Sequence, residues 1–313
     1  MREPRVAITM GDPAGIGPEL CLRLFTPEAP TRLHDLTVFG SREVLDRVAR
    51  ATGLPGAGHV RDLGPVENLR PGVSSPLQAR AAIDYLEAAV DATHDGEFDA
   101  LVTCPIHKES LRASGIQYPG HTELLVAKTG APHHCMMLTS PALTCSLVTA
   151  HLPLREVPRQ LSTGRIVEVV SLTNRAMTRF HGRTPRLAVL GLNPHAGEHG
   201  IFGEEEERFI TPAIHLAREE GIDLDGPLPP DTAFIDSKRS NIDAYVCMYH
   251  DQGLIPLKTL AFDEGVNVTL GLPMVRTSVD HGTAFDIAWQ GIARPASLYA
   301  AVNLAIRLVE GGR

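Results

Sequence analysis

Residues 6–25 read VAITMGDPAGIGPELCLRLF. Residues 6–10 form an apolar run of strand length, Gly11-Asp12-Pro13 breaks it, and 18–25 is helix-like. The same order recurs along the chain. Apolar runs rich in Val, Leu and Ile at 36–39, 100–103, 135–138, 143–149, 187–192, 244–249 and 266–270 are interleaved with helix-like stretches at 42–52, 77–94, 157–180, 204–220 and 296–309. Strand followed by helix, repeated, predicts an α/β fold with a largely parallel sheet. At 313 residues the chain can build one large α/β unit or two lobes around a cleft. No linker divides it cleanly, so two lobes would require the chain to cross between them more than once.

Composition narrows the function classes. The net charge is −8 and no Lys/Arg run occurs, which argues against nucleic acid or an anionic membrane as the main partner. The cysteines, Cys21, Cys104, Cys135, Cys145 and Cys247, are odd in number, lack CxxC spacing and mostly sit in apolar runs. That pattern suits free thiols in a reducing cytoplasm. The N-terminal apolar run is too short and too early broken for a signal segment. No run approaches the ~20 apolar residues of a membrane helix.

Buried parallel strands leave polar work to the loops at their carboxyl ends. After the apolar runs come Gly11-Asp12-Pro13, Cys104-Pro105-Ile106-His107-Lys108, His151, Asn193-Pro194-His195 and His250-Asp251-Gln252-Gly253. His151, His195 and His250 thus stand in matching contexts and supply the three imidazoles that a catalytic divalent ion often takes, with a coordination position left for substrate or water. A single histidine at a strand end carries little weight; three shift the balance. Asp251 beside His250, and Glu198 after His195, could orient an imidazole through its other nitrogen. Glu198 reads equally well as a helix-start residue, and Asp231 in PLPPDTAF is a weaker carboxylate candidate.

GDPAGIGPE, residues 11–19, follows the first strand and opens a helix, but its glycines are spaced GxxxGxG, not the GxGxxG of a dinucleotide fingerprint. The turn could still attract an anion or cofactor through free N–H groups. A stronger anion reading joins His121 and Thr122, at a helix start after Pro119-Gly120, with Lys258, Asn267 and Arg276. These supply helix-terminal donors, a point charge, an amide and a guanidinium fork suited to phosphate oxygens. Taken singly, Lys258 reads as a surface lysine and Thr122 as a plain helix cap.

Longer stretches carry a resemblance: MGDPAGIGPE, CPIHK, YPGHTELL, HLPL, GLNPHAGEHGIFGEEE, DGPLPPDTAF, MYHDQGLIPLK, VNVTLGLPMVRTSVDHGTAFDIA and LYAAVNLAI. In these the chain resembles, nearly end to end, the 4-hydroxythreonine-4-phosphate dehydrogenase family of pyridoxal phosphate biosynthesis. The resemblance implies an isocitrate/isopropylmalate dehydrogenase-like fold of two α/β/α lobes, expected at 1–130 plus 258–313 and at 131–257, with the active site in the cleft between them. It implies a homodimer with the site at the subunit interface. It also implies that His151, His195 and His250 bind a divalent ion (zinc, magnesium or cobalt), and that His121, Thr122, Lys258, Asn267 and Arg276 hold substrate. The resemblance is what gives Asn267 and Arg276 their place in this set. One departure is visible. Where the family usually reads DIAGxG, this chain has Asp286-Ile287-Ala288-Trp289-Gln290-Gly291, with its only tryptophan in place of a glycine. Trp289 could fill a surface groove or reshape a wall of the cofactor cleft.

The family reaction implied is oxidation of 4-phosphooxy-L-threonine at C3 with NAD or NADP, then decarboxylation to 3-amino-2-oxopropyl phosphate. Asp251 or Lys108 could accept the hydroxyl proton. Rival readings are an oxidative decarboxylase of D-threonate or D-erythronate 4-phosphate, a metal-dependent phosphatase or hydrolase, and, last, a non-catalytic sensor of a phosphorylated ligand.

Overall fold

The computed structural model describes residues 2–29, 35–118 and 120–312, so Pro119 lies outside the described residues. The strands are β1 (Val6–Thr9), β2 (Leu36–Gly40), β3 (His59–Asp62), β4 (Ala100–Thr103), β5 (Cys135–Thr139), β6 (Thr144–Leu147), β7 (Leu187–Leu190), β8 (Leu224–Leu228), β9 (Ala244–Cys247), β10 (Val266–Leu270) and β11 (Val275–Val279). Every apolar run expected to form a strand contains one. The three unanticipated strands lack that signature: β3 is HVRD with three exposed residues, β8 is LDGPL, and β11 is VRTSV.

The chain forms two compact α/β units, one from residues up to Pro132 together with Leu272–Glu310, the other from His133–Gly271. In the first unit the strand order is β3-β2-β1-β4-β11, every neighbour parallel. β1 and β4 are buried at every residue, as expected of parallel strands covered on both faces. Helix Pro76–His94 packs on β1, β2 and β4, and helix Ala296–Glu310 packs on β11, β4 and β1. Ala7, Phe39, Ile83, Leu86, Leu101 and Leu124 form part of the core there. Each large side chain so buried contributes roughly 1.5–3 kcal/mol.

In the second unit the order is β10-β5-β6-β9-β7-β8, with β6, β9, β7 and β8 parallel. β5 is antiparallel to both β10 and β6. The expectation of a largely parallel sheet yields here because β5 and β6 are joined by the turn 140–143, in which Ser140 Oγ accepts from the N–H of Ala142 and of Leu143. A connection that short can only return the chain antiparallel. The chain also returns to the first unit later than expected. Residues 258–271 belong to the second unit, because helix His250–Leu260 packs on β6 and β9 and β10 pairs with β5.

Two expected helices are interrupted. The stretch 157–180 is helical at Val157–Gln160 and again at Thr163–His181, where Ser162 starts the second helix by accepting from Arg165 N–H at 3.2 Å. The stretch 204–220 begins with a π turn, Glu206–Ile210, and continues as helix Thr211–Glu219.

GDPAGIGPE is a packing element, not an anion cradle. Residues 10–22 are all buried, and a Cβ on Gly17 would lie 2.0 Å from Met10 O. Four of its N–H groups are spent: Asp12 N donates to Pro105 O, Ala14 N to Asp12 Oδ1, Gly15 N to Asp12 O and Ile16 N to Thr283 O. The helix that follows, Gly17–Arg23, carries the fully buried Glu19, which accepts from Gly291 N at 3.0 Å and Ala293 N at 2.8 Å. All five cysteines are free and buried, and no described helix is long and apolar enough to cross a membrane.

Candidate active site

In the second unit the parallel strands β6, β9 and β7 are consecutive neighbours. Their carboxyl ends lead into His151, His250 and His195 respectively, so the strand-end argument holds in space as well as in sequence. Side-chain bonds knit these ends together. Thr149 Oγ1 donates to Met248 O at 2.7 Å, tying the end of β6 to that of β9. The buried Gln252 accepts from Met248 N and donates to Gly191 O, both at 2.7 Å, tying β9 to β7.

Two of the three imidazoles meet. The rings of His151 and His250 lie 5.7 Å apart, centroid to centroid. With Leu152, Tyr249 and Asp251 they line a pocket of about 280 Å³. His250 Nδ1 donates to Asp251 Oδ1 at 2.7 Å, which leaves Nε2 as the nitrogen with a lone pair to offer. His195 is exposed, and its ring lies 5.8 Å from that of Phe202. Among the described residues no group of three or more His, Cys, Asp or Glu side chains is gathered so as to hold a metal ion. The donors are of the right chemistry and spring from adjacent strands, but only the His151–His250 pair is assembled. Asp231 is exposed on the one-turn helix Pro230–Ala233.

The loop bearing His195 has an unusual backbone. His195, Ala196, Gly197, Glu198, His199 and Gly200 have φ of 53°, 53°, 81°, 40°, 55° and 85°, all left-handed. Glu198 therefore sits within this run and does not start a helix. Each non-glycine residue in that region costs roughly 1–2 kcal/mol, so neighbouring contacts must offset several kcal/mol. Glu206, 3% exposed, is the group the loop packs against. Its Oε1 accepts from Leu192 N and Asn193 N at 2.7 Å, and its Oε2 accepts from Asn193 Nδ2 at 2.9 Å. A Cβ on Gly197 would stand 2.6 Å from Glu206 Oε2. Nothing in the sequence marked Glu206, because GEEEER reads as a solvated helix face. The only available signal was its place just after a glycine-rich loop.

In the first unit the expected phosphate residues lie on two elements. Arg276, on β11, is 3% exposed and donates through Nη2 to Thr103 Oγ1 at 2.7 Å. Burial pulls its guanidinium down to about 10, so the charge persists at neutral pH, and Glu123 works against the drop. His121 opens helix His121–Thr129, which no side chain caps. Burial, with the nearby charges of Arg276 and Lys108, holds its imidazole well below 6.5 despite a hydrogen bond with the Cys104 backbone. His121 Nε2 is buried with no hydrogen-bond partner. Thr122 is half-buried in the same first turn, and Lys108 is exposed at the start of helix Lys108–Ala113. A buried cation and an uncapped helix start make an anion-binding arrangement, which the His121 ring, its one proton engaged by the Cys104 backbone, would join as a donor only on taking up a second proton. Lys258 and Asn267 belong to the second unit: Lys258 Nζ lies 5.8 Å from the Phe262 ring centroid, and Asn267 Oδ1 is buried without a hydrogen-bond partner.

Residues 32–305 match the family described as pyridoxal phosphate biosynthetic protein PdxA. The chain belongs to the PdxA family. Among curated relatives, the 4-hydroxythreonine-4-phosphate dehydrogenase of Desulforapulum autotrophicum is 44% identical, the match covering 96% of this chain and 94% of that one. The D-threonate 4-phosphate dehydrogenase of Salmonella typhimurium is 42% identical over 98% of this chain and 100% of the relative. The crystal structure of 4-hydroxythreonine-4-phosphate dehydrogenase from Klebsiella pneumoniae superposes with a TM-score of 0.87 at 38% identity, covering 98% of both chains. This PdxA-family chain departs from the expected family glycine at Trp289. The residue has φ 63°, is 8% exposed, donates through Nε1 to Pro13 O at 3.2 Å, and carries Arg47 5.1 Å above its ring. It is thus a buried partner of the GDPAG turn, in a backbone conformation that glycine adopts without strain.

Proposed function

We propose that this dehydrogenase oxidises the C3 hydroxyl of 4-phosphooxy-L-threonine with NAD or NADP and that the product loses carbon dioxide to give 3-amino-2-oxopropyl phosphate, a step in pyridoxal 5'-phosphate biosynthesis. The observation that carries this reading is the buried guanidinium of Arg276, held by Thr103, together with the uncapped start of helix His121–Thr129, both suited to the phosphate of the substrate. The name of the Desulforapulum relative supports it.

In this reading His121, Thr122 and Arg276 bind the phosphate, Lys258 and Asn267 are further substrate-binding residues, and binding energy at the remote phosphate orients C3 for reaction. His151 and His250, with His195 as third ligand, would hold a divalent ion such as zinc, magnesium or cobalt. When bound, such an ion supplies Lewis acidity that stabilises negative charge on the C3 oxygen during oxidation and decarboxylation. Asp251 keeps the His250 ring in one tautomer through the 2.7 Å bond. Asp251 or Lys108 would take the hydroxyl proton. The exposed apolar side chains Leu154, Ile201, Ile255 and Phe262 support a homodimer, and the five free, buried cysteines support a cytoplasmic setting.

A second reading, oxidative decarboxylation of D-threonate 4-phosphate, is favoured by the full-length match to the Salmonella relative. Steady-state assays with both substrates, each with NAD and NADP and each of the three ions, separate the two. A kcat/KM at least tenfold higher for 4-phosphooxy-L-threonine is expected, with carbon dioxide released in step with reduced cofactor. The reverse preference would transfer the assignment to D-threonate 4-phosphate. Release of inorganic phosphate without cofactor reduction would overturn both.

A further inference from the structure

We propose that Glu206 is the positioning residue for His195, holding the left-handed loop in the one shape that presents this imidazole. The inference rests on the reading of His195 as a working residue of the site.

Three observations bear on it. First, the run 195–200 is left-handed at six consecutive residues, four of them not glycine. A free loop would relax out of such a shape, so something buried must over-determine it. Second, Glu206 meets the segment just before the run with two backbone N–H bonds at 2.7 Å and one amide bond at 2.9 Å. Asn193 Nδ2 also bonds Glu205 Oε2 at 2.8 Å, so this side chain is held from two sides. The contact is close enough that only glycine fits at 197. Third, Glu206 opens the π turn that precedes helix Thr211–Glu219. Such turns are frequent at functional sites. A carboxylate accepting three bonds, two of them from the backbone, sets the path of the chain entering Pro194 and His195 without touching substrate itself.

The test uses the full-length protein and cobalt(II) as probe. Uptake by metal-free protein is followed by calorimetry and by the cobalt absorption bands, beside turnover and thermal unfolding. Glu206→Asp leaves the charge but falls a methylene short of the two backbone donors. It is expected to bind cobalt roughly 10–100-fold more weakly and to lose kcat with little change in KM. Glu206→Gln, whose oxygen can keep both backbone bonds while Asn193 turns its amide, is expected to stay within about threefold of wild type. Should Glu206→Asp not fold, Asn193→Ala, which removes only the side-chain bonds, must show a smaller loss in the same direction. In a His195→Ala background, Glu206→Asp should cost nothing further, since residues acting as one unit are not additive. A Glu206→Asp protein with wild-type cobalt affinity and turnover, or one whose loss persists in full without His195, overturns the proposal. If His195→Ala alone binds cobalt and turns over normally, the reading of His195 falls, and this proposal with it. An impaired His195→Ala beside an intact Glu206→Asp overturns this proposal alone.

Discussion

His250 and Asp251, adjacent in sequence, are joined side chain to side chain, Nδ1 to Oδ1 at 2.7 Å. The bond assigns the proton to Nδ1 and leaves the lone pair on Nε2. Asp251→Asn can accept the same bond but without charge, so the ring is held less firmly in that tautomer. Divalent-ion affinity is expected to fall roughly tenfold. The melting temperature should hold, since the Asp251 side chain is 69% exposed. Calorimetric titration of the metal-free protein decides it, and equal affinity would remove Asp251 from this role.

Arg276→Met separates function from stability. Burial pulls this guanidinium down to about 10, so burying its charge costs stability, at about 1.4 kcal/mol per pKa unit. Methionine avoids that cost, offset in part by leaving Thr103 Oγ1 without its donor. The variant should melt no lower than wild type while KM for the phosphorylated substrate rises at least a hundredfold. An unchanged KM would remove Arg276 from the phosphate site.

His121 makes stability depend on pH with a definite sign. Its folded-state pKa lies well below 6.5, so below pH 6.5 the unfolded chain binds a proton that the folded chain refuses. Stability therefore falls as pH drops through 6.5 and stops falling once the folded imidazole also protonates. Denaturant unfolding from pH 7.5 to 5 should show a shallower decline for His121→Gln than for wild type. Parallel curves would count against a neutral His121 in the folded protein.

Trp289→Gly relieves a left-handed tryptophan but empties the space beneath Arg47 and beside Pro13. Loss of a buried tryptophan costs about 3–5 kcal/mol, against roughly 1–2 kcal/mol of recovered backbone strain. A net loss of about 2–3 kcal/mol is expected in chemical denaturation. Equal or higher stability would show that the indole contributes little. As the only tryptophan, Trp289 also gives wild-type fluorescence a single origin, in the first unit.

Much of this was legible from the chain alone. β1, β4, β7 and β9 announce themselves because buried parallel strands must be continuously apolar. The strand ends mark His151, His195 and His250 for the same reason, since polar groups can gather only where the buried run stops. The misses have physical causes too. β3 and β11 carry polar residues at positions a pattern search expects to be apolar, and 157–180 looked like one helix because Ser162 caps within a continuous periodic stretch. GDPAGIG resembled an anion loop because close packing and anion binding both select glycine. Only the partners of its N–H groups tell the two apart.

By itself the sequence determined the element types, the placement of candidate donors at strand ends and membership of the PdxA family, since these follow from local periodicity and from long ordered motifs. The tertiary structure decided that β6, β9 and β7 stand side by side, because lateral strand order is set by crossovers and not by local pattern. The meeting of His250 with His151 was settled there as well, and so was the left-handed course of the loop that carries His195. The burial of Glu206 is likewise a tertiary fact. One glutamate in a run of four becomes structural only when the fold closes three donors around it.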